Sequence, residues 1–241
     1  MKIDGNTSVG SIVGENFKTA KIFENSGIDF CCGGDQSMKE ACAENKVDMD
    51  ILIDSLELEM QESDPETEFI KRLELDELVD YIIKRHHSFV LEQIPVITQL
   101  LEKIASVHGD AHPEVFTIKS EFEEATKNLS GHLDDEEQKL FPYIKSLVAA
   151  QKSGQTFEAV EGFSLKALLE GMLDEHTAEG DRFDKLSKLT NNYEIPADVC
   201  NTFVVSFKSV KAFQDDLHRH VHLENNMLFP KALKLEAELL G

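Results

Sequence analysis

His132-Leu-Asp-Asp-Glu136-Glu-Gln-Lys-Leu140-Phe141-Pro142 returns as His220-Val-His-Leu-Glu224-Asn-Asn-Met-Leu228-Phe229-Pro230. The shared pattern, H-x3-E-x3-L-F-P, recurs 88 residues on, from position 132 to position 220. A second pair keeps nearly that offset: His87 and His176 lie 89 residues apart. The repeat therefore spans two helix pairs, each giving one His from its first helix and a His/Glu set from its second. On an α-helix, residues i and i+4 share a face, about 40° apart and ~6 Å along the axis. His132 thus sits with Glu136, and His220 with Glu224. Imidazoles and carboxylates aimed inward from facing helices are how bundles hold metal pairs, although the usual spacing there is Glu-x-x-His.

Outward from the repeat, apolar residues at 3–4 spacing predict long helices. The first runs from Leu75 to about Ser106, with a kink expected at Pro95. The second opens at Pro113 and passes Phe116, Phe122 and Leu129 to Phe141. The third starts near Phe163-Ser164 and reaches about Leu189; Pro196 opens the fourth, which ends near Phe229. Strand signals are nearly missing. The fold class is all-α, with a four-helix bundle behind a small helical front domain. The front reads as short helices: Ser8 to Asn25 carries apolar residues at helical spacing, and Gly27 follows where a helix C′ glycine would sit. Ser37-Met-Lys-Glu40 is a capping box, and Asp48 or Asp50 caps a further helix. The acidic, proline-broken run from Gln61 to Glu68 reads as a linker. The expected organisation is a helical Cys-Cys domain over 1–60, an acidic linker over 61–72 and the bundle over 73–241.

The chain has 241 residues, enough for a core without disulfides. Its 24 Lys+Arg against 46 Asp+Glu give a net charge of −22, a field that repels nucleic acid. No apolar run nears the ~20 residues of a membrane helix, and the start has no apolar leader. Neither nucleic acid nor membrane is therefore expected as a partner. Cys31, Cys32, Cys42 and Cys200 read as free thiols in a reducing, cytoplasmic setting.

Helix angles sort the remaining candidates. Glu137 is rotated about 140° from His132, and His218 and His222 about 200° from His220, so all three are expected on the solvent side. His86 and His87 each lie on an inward stripe; the repeat offset favours His87. His108, 21 residues further on, is a fifth candidate, and His112 sits at a helix entrance. Burying such a set with no metal would leave charge and polar groups needing partners. Several imidazoles with bridging carboxylates favour two metals, Fe or Mn over tetrahedral Zn.

Together with Gly27-Ile-Asp-Phe-Cys31-Cys32-Gly33-Gly34, the two Leu-Phe-Pro copies make the chain resemble the RIC (repair of iron centres) family over nearly its whole length. These are di-iron iron–sulfur cluster repair proteins, in which a small Cys-Cys domain precedes a hemerythrin-like four-helix bundle. The resemblance implies two non-haem irons with an oxo or hydroxo bridge. His87, His108, His132, His176 and His220 would be terminal ligands, and Glu136 and Glu224 would bridge. It favours His87, while His86 stands where the family often has Tyr and stays an alternate ligand. Manganese or zinc can substitute. The implied function is repair of clusters damaged by nitric oxide or oxidants, through iron delivery, reduction of nitric oxide to nitrous oxide, or both; whether the chain is an enzyme stays open.

The implied partners are damaged iron–sulfur proteins, with nitric oxide or O2 as small ligands; a homodimer is open. Rival readings are an O2- or nitric-oxide-binding sensor or carrier and an iron-storage bundle. Cys31 and Cys32 are expected to be functional, as a reactive pair or a transient metal or nitrosyl site, with lowered pKa where a helix N-terminus points at them. Cys42 and Cys200 are expected in the core. Glu175, beside His176, is a candidate for holding a ligand in place.

Overall fold

The computed structural model describes residues 1–158 and 161–241. Among the described residues twelve α-helices follow in chain order: α1 Val9–Glu15, α2 Ala20–Asn25, α3 Met38–Asn45, α4 Met49–Glu59, α5 Pro65–Ile70, α6 Leu75–Ile82, α7 Ser88–His108, α8 Glu114–Asp135, α9 Phe141–Ser153, α10 Leu165–Leu189, α11 Asn201–Leu223 and α12 Phe229–Leu240. No strand occurs among them; one isolated bridge pairs Ser8 with Ser37. No described helix is long and apolar enough to cross a membrane. The contacts divide into two units. One holds Met1–Asp80, Ile144–Lys166 and Arg219–Gly241; the other holds Tyr81–Tyr143 and Ala167–His218.

Three π-turns join successive helices: Ile83–His87, Glu136–Leu140 and Glu224–Leu228. The helices expected to end near Phe141 and Phe229 instead continue to Ser153 and Leu240. The reason lies in Pro142 and Pro230. Proline lacks the N–H of the ladder, and its ring collides with the carbonyl four residues back. A wider i→i+5 turn just before the proline moves that carbonyl aside. In the first π-turn the Ser88 hydroxyl donates to the Ile83 carbonyl at 3.2 Å, across the same five-residue span.

In the first unit, local sequence decides the short helices. Ser37 and Glu40 form the expected capping box. Asp48 caps α4 by accepting from the N–H groups of Asp50 and Ile51. Gly27 closes α2 at φ 70, where a side chain would be strained. The helical pattern over Ser8–Asn25 is divided at Asn16. Asn16 is extended, and its side chain accepts from Lys18 N to start a 3₁₀ turn, Phe17–Thr19. The expected linker also folds. Asp64 caps α5, Pro65 fills its first turn, and Thr67 and Ile70 are buried. Thr67 Oγ1 accepts from Phe17 N at 3.1 Å, and Asn16 Nδ2 donates to the Glu62 carbonyl at 2.8 Å. The acidic run is therefore tied to the front helices. Exposed pairs Lys145–Asp80 and Lys152–Asp76 join α9 to α6.

The second unit has an aromatic core. The Phe213 ring takes Phe122 edge-on at 5.3 Å and Phe183 stacked at 5.7 Å, and Phe203 lies 4.4 Å from Phe207. Such pairs add about 0.5–1.5 kcal/mol each beyond their burial. α7 continues through Pro95 to His108.

Candidate metal centre

In the second unit, four buried side chains from three helices converge. His87 ends the first π-turn, His132 lies in the last turn of α8, Glu136 opens the next π-turn and His176 projects from α10. Glu136 is fully buried, yet its two oxygens part company. Oε2 is 3.4 Å from His87 Nε2, and Oε1 is 3.4 Å from His132 Nε2. His176 Nε2 lies 2.9 Å from His132 Nε2. Donor atoms of His132, Glu136 and His176 all lie within 4.8 Å of one another. In the first unit, His220 Nε2 and Glu224 Oε1 are 3.0 Å apart, both buried.

The other ring nitrogens are held. Glu137 Oε1 is 2.8 Å from His87 Nδ1, and Glu175 Oε2 is 2.6 Å from His132 Nδ1. A carboxylate accepting from Nδ1–H fixes the ring's orientation and leaves Nε2 as the atom that binds once a metal displaces its proton. Burial works against charge on His132, but Glu136 and Glu175 outweigh it and raise its pKa to about 9. The donor set fits a cation. Imidazole nitrogens and carboxylate oxygens about 3–3.5 Å apart match the edges of a shell with bonds near 2.0–2.2 Å. Phe141 stacks on the His87 ring at 5.5 Å and fixes its plane.

Several expected residues stand elsewhere. The structure does not bring His108 to the cluster. It lies 21 residues beyond His87 on α7, roughly 30 Å along the axis. Its Nε2 is 3.1 Å from Cys200 Sγ, and its ring meets Phe203 edge-on. His86 is buried and its Nδ1 lies 3.1 Å from Asp216 Oδ2. Glu137 does not face away as expected: it is half-buried and holds His87. His222 is also not on the solvent side. It is 1% exposed, with the Phe17 and Phe30 rings at 5.9 and 6.0 Å, and burial lowers its pKa to about 4. His218 is half-buried. Glu175 takes the holding role, on His132 rather than beside its neighbour His176. The Glu137→Ala variant should bind metal about 10–100-fold more weakly, as loss of a residue orienting a ligand does; competition titration against a chelator measures it. Unchanged affinity would mean that His87 needs no support.

Comparison with known proteins agrees with this geometry. A family model described as the hemerythrin HHE cation binding domain matches residues 78–232, and one described as a domain of unknown function (DUF542) matches residues 5–59. The iron-sulfur cluster repair protein YtfE of Yersinia pseudotuberculosis serotype O:1b is 34% identical over 96% of this chain and 98% of its own length. The protein of that name from Yersinia pestis strain Pestoides F is 33% identical over the same shares. The chain belongs to the iron-sulfur cluster repair protein family. The cation-binding part of this repair-family chain contains His87, His132, Glu136, His176, His220 and Glu224.

The thiol loop of the repair-family chain lies in its DUF542 part. Asp29 organises it: Oδ1 accepts from Cys31 N at 2.9 Å and Cys32 N at 3.0 Å, and Oδ2 from Gly33 N at 2.9 Å. Cys31 is buried, Cys32 is half-buried, and their sulfurs are 3.9 Å apart. No lowered pKa results at Cys31. Its hydrogen bond with Cys32, its burial and the Asp29 charge push the Cys31 thiol well up, so it stays protonated. Cys42 is buried as expected. Cys200 is not in the core: it is exposed at the start of α11. His108 and the N–H groups of Phe203 and Thr202 lower its pKa to about 7. A depressed pKa means thiolate above it, so alkylation of Cys200 should rise through pH 7 and level off by about pH 8. His108→Ala should move that midpoint up toward ~8.5, the value of a free cysteine; peptide mass spectrometry of iodoacetamide-treated protein reads it. A midpoint that ignores His108 would sink the assignment.

Proposed function

We propose that this chain repairs damaged iron–sulfur clusters in the cytoplasm, using two non-haem irons held by His87, His132, His176 and His220 and bridged by Glu136 and Glu224. The observation that carries the reading is the divided use of Glu136, one oxygen toward His87 and the other toward His132. One carboxylate thereby serves two metal positions. His220 and Glu224 stand at the matching places of the second copy, 88 residues on, and are likewise buried. His108 is left out because of its distance along α7. Imidazole–carboxylate sets suit iron, with manganese or zinc as substitutes.

The relatives' name supports the client class, proteins with iron–sulfur clusters in need of repair; nitric oxide and oxidants are the damaging agents we propose. When bound, the metal pair supplies one-electron redox chemistry and an exchangeable coordination position. The chain's own residues do the rest. Glu137 and Glu175 anchor Nδ1 of His87 and His132 and so aim their Nε2 atoms, and Phe141 covers the His87 ring. Cys31 contributes a protonated thiol, and Asp29 keeps it beside Cys32. A storage bundle has no use for such a thiol pair.

The test has two stages. Anaerobic reconstitution with ferrous iron, followed by elemental analysis, should give about two irons per chain. The loaded protein is then mixed with an iron–sulfur enzyme inactivated by nitric oxide, whose activity should return. No bound metal would overturn the site; full loading with no recovery would point to storage, sensing or carriage.

A further inference from the structure

We infer that Asn226 is the catch of a latch that holds the Cys31–Cys32 loop closed on the π-turn following Glu224, and thereby positions the thiols for repair. The inference rests on the repair reading for its purpose, but not for its geometry. Asn226 Nδ2 donates to the carbonyls of Cys31 at 3.1 Å and Phe30 at 3.3 Å, and Asn225 Nδ2 donates to Cys31 at 3.3 Å. The other end of the same amide is hemmed in by backbone. A Cβ added to Gly10 or to Gly34 would lie 2.4 Å from Asn226 Oδ1. Gly10 N donates to the Gly34 carbonyl at 2.7 Å, so α1 and the thiol loop close together around this one side chain. One turn earlier, His222 sets its Nδ1 3.1 Å from Asn226 Nδ2 and packs its ring on Phe17 and Phe30.

The repeat makes the role specific. In the first copy, the two residues after the glutamate are Glu137 and Gln138; in the second they are Asn225 and Asn226. Glu137 holds a histidine of the metal cluster. Asn225 and Asn226 hold the thiol loop instead. One π-turn thus supports the ligands, and its duplicate ties the cysteines to a position two residues from Glu224. Asn226 is a positioning residue: it touches neither metal donor nor sulfur in any contact described, and it acts through the Cys31 carbonyl.

Asn226→Asp tests this. The substitution keeps the size but sets a carboxylate against two carbonyl oxygens. Cys31 is 5% exposed and Cys42 is 4% exposed, so Cys42 reports any general loosening. In the full metal-loaded chain, alkylation of Cys31 should speed up about tenfold, the loss of one to two hydrogen bonds, with Cys42 labelling and iron content unchanged. Repair of the damaged enzyme should slow in step. Gly34→Ala, which wedges the same amide from the loop side, should have the same effect on labelling. Asn226→Ala combined with Gly34→Ala should add nothing beyond the larger single effect. Cys31 labelling at the wild-type rate in Asn226→Asp, or labelling of Cys31 and Cys42 rising together, would overturn the latch. Faster Cys31 labelling with undiminished repair would leave the latch geometry and remove its purpose; failure of repair in the unaltered protein would instead count against the repair reading alone.

Discussion

Replacing Glu136 by Ala should cost the protein most of its metal. Its two oxygens face two different histidines, so no other single side chain can take over both contacts. Bound metal should fall from about two ions per chain to well under one. The loss should also appear in stability. A ligand at 100 times its dissociation constant stabilises the folded chain by about 2.7 kcal/mol. For a chain of this length that is roughly 5–10 °C of melting temperature. The increment should vanish in Glu136→Ala, while the metal-free variant melts within a few degrees of the metal-free parent. Deleting a fully buried carboxylate removes its desolvation cost along with its contacts, and His132 can shed its proton in response. Scanning calorimetry with and without ferrous iron reads both halves. Two irons retained in Glu136→Ala would end the bridging assignment.

The double variant Cys31→Ser with Cys32→Ser should separate metal from repair. Asp29 holds the loop through the N–H groups of residues 31, 32 and 33, which serine leaves in place. A hydroxyl fits where the thiols sit, and it also tolerates the neighbouring carboxylate. The fold and the iron content should therefore persist. What disappears is the soft, oxidisable sulfur pair, and recovery of a damaged enzyme should drop to the level seen without protein. Repair at the normal rate would make the cysteines a packing feature, and the latch that holds them a matter of stability only.

The helical class and the metal-bearing helices were legible because both rest on periodicity, and the duplicated His/Glu pattern is periodicity twice over. The misjudged residues fail for identifiable reasons. The angle that turns Glu137 outward assumes 3.6 residues per turn, but Glu137 lies inside a π-turn, and its partner His87 is 50 residues away. His222 lies on the face of α11 that points away from His220; spacing along one helix cannot show that Phe17 and Phe30 cover that face. His108 is a candidate by its place at the end of the first long helix and by the resemblance, yet 21 residues of helical rise separate it from His87. The acidic run around Asp64-Pro65 reads as a linker, although the same pair is also a cap and a first turn. Residue type alone puts Cys200 in the core, as it does most free cysteines; only the fold brings His108 beside it.

The π-turns also change what a one-residue deletion means. Removing Gln138 would not merely shorten a rod. It would let the wide turn relax to an ordinary one, in which four residues cover the span that five cover now, so the helix beyond would keep its phase. Phe141, now stacked on His87 at an interplanar angle of 28°, would stay near the ring, but Pro142 would drive into the carbonyl that the wider turn had moved out of its way. Loss of one codon there would act as a proline set into mid-helix, with no proline added to the sequence.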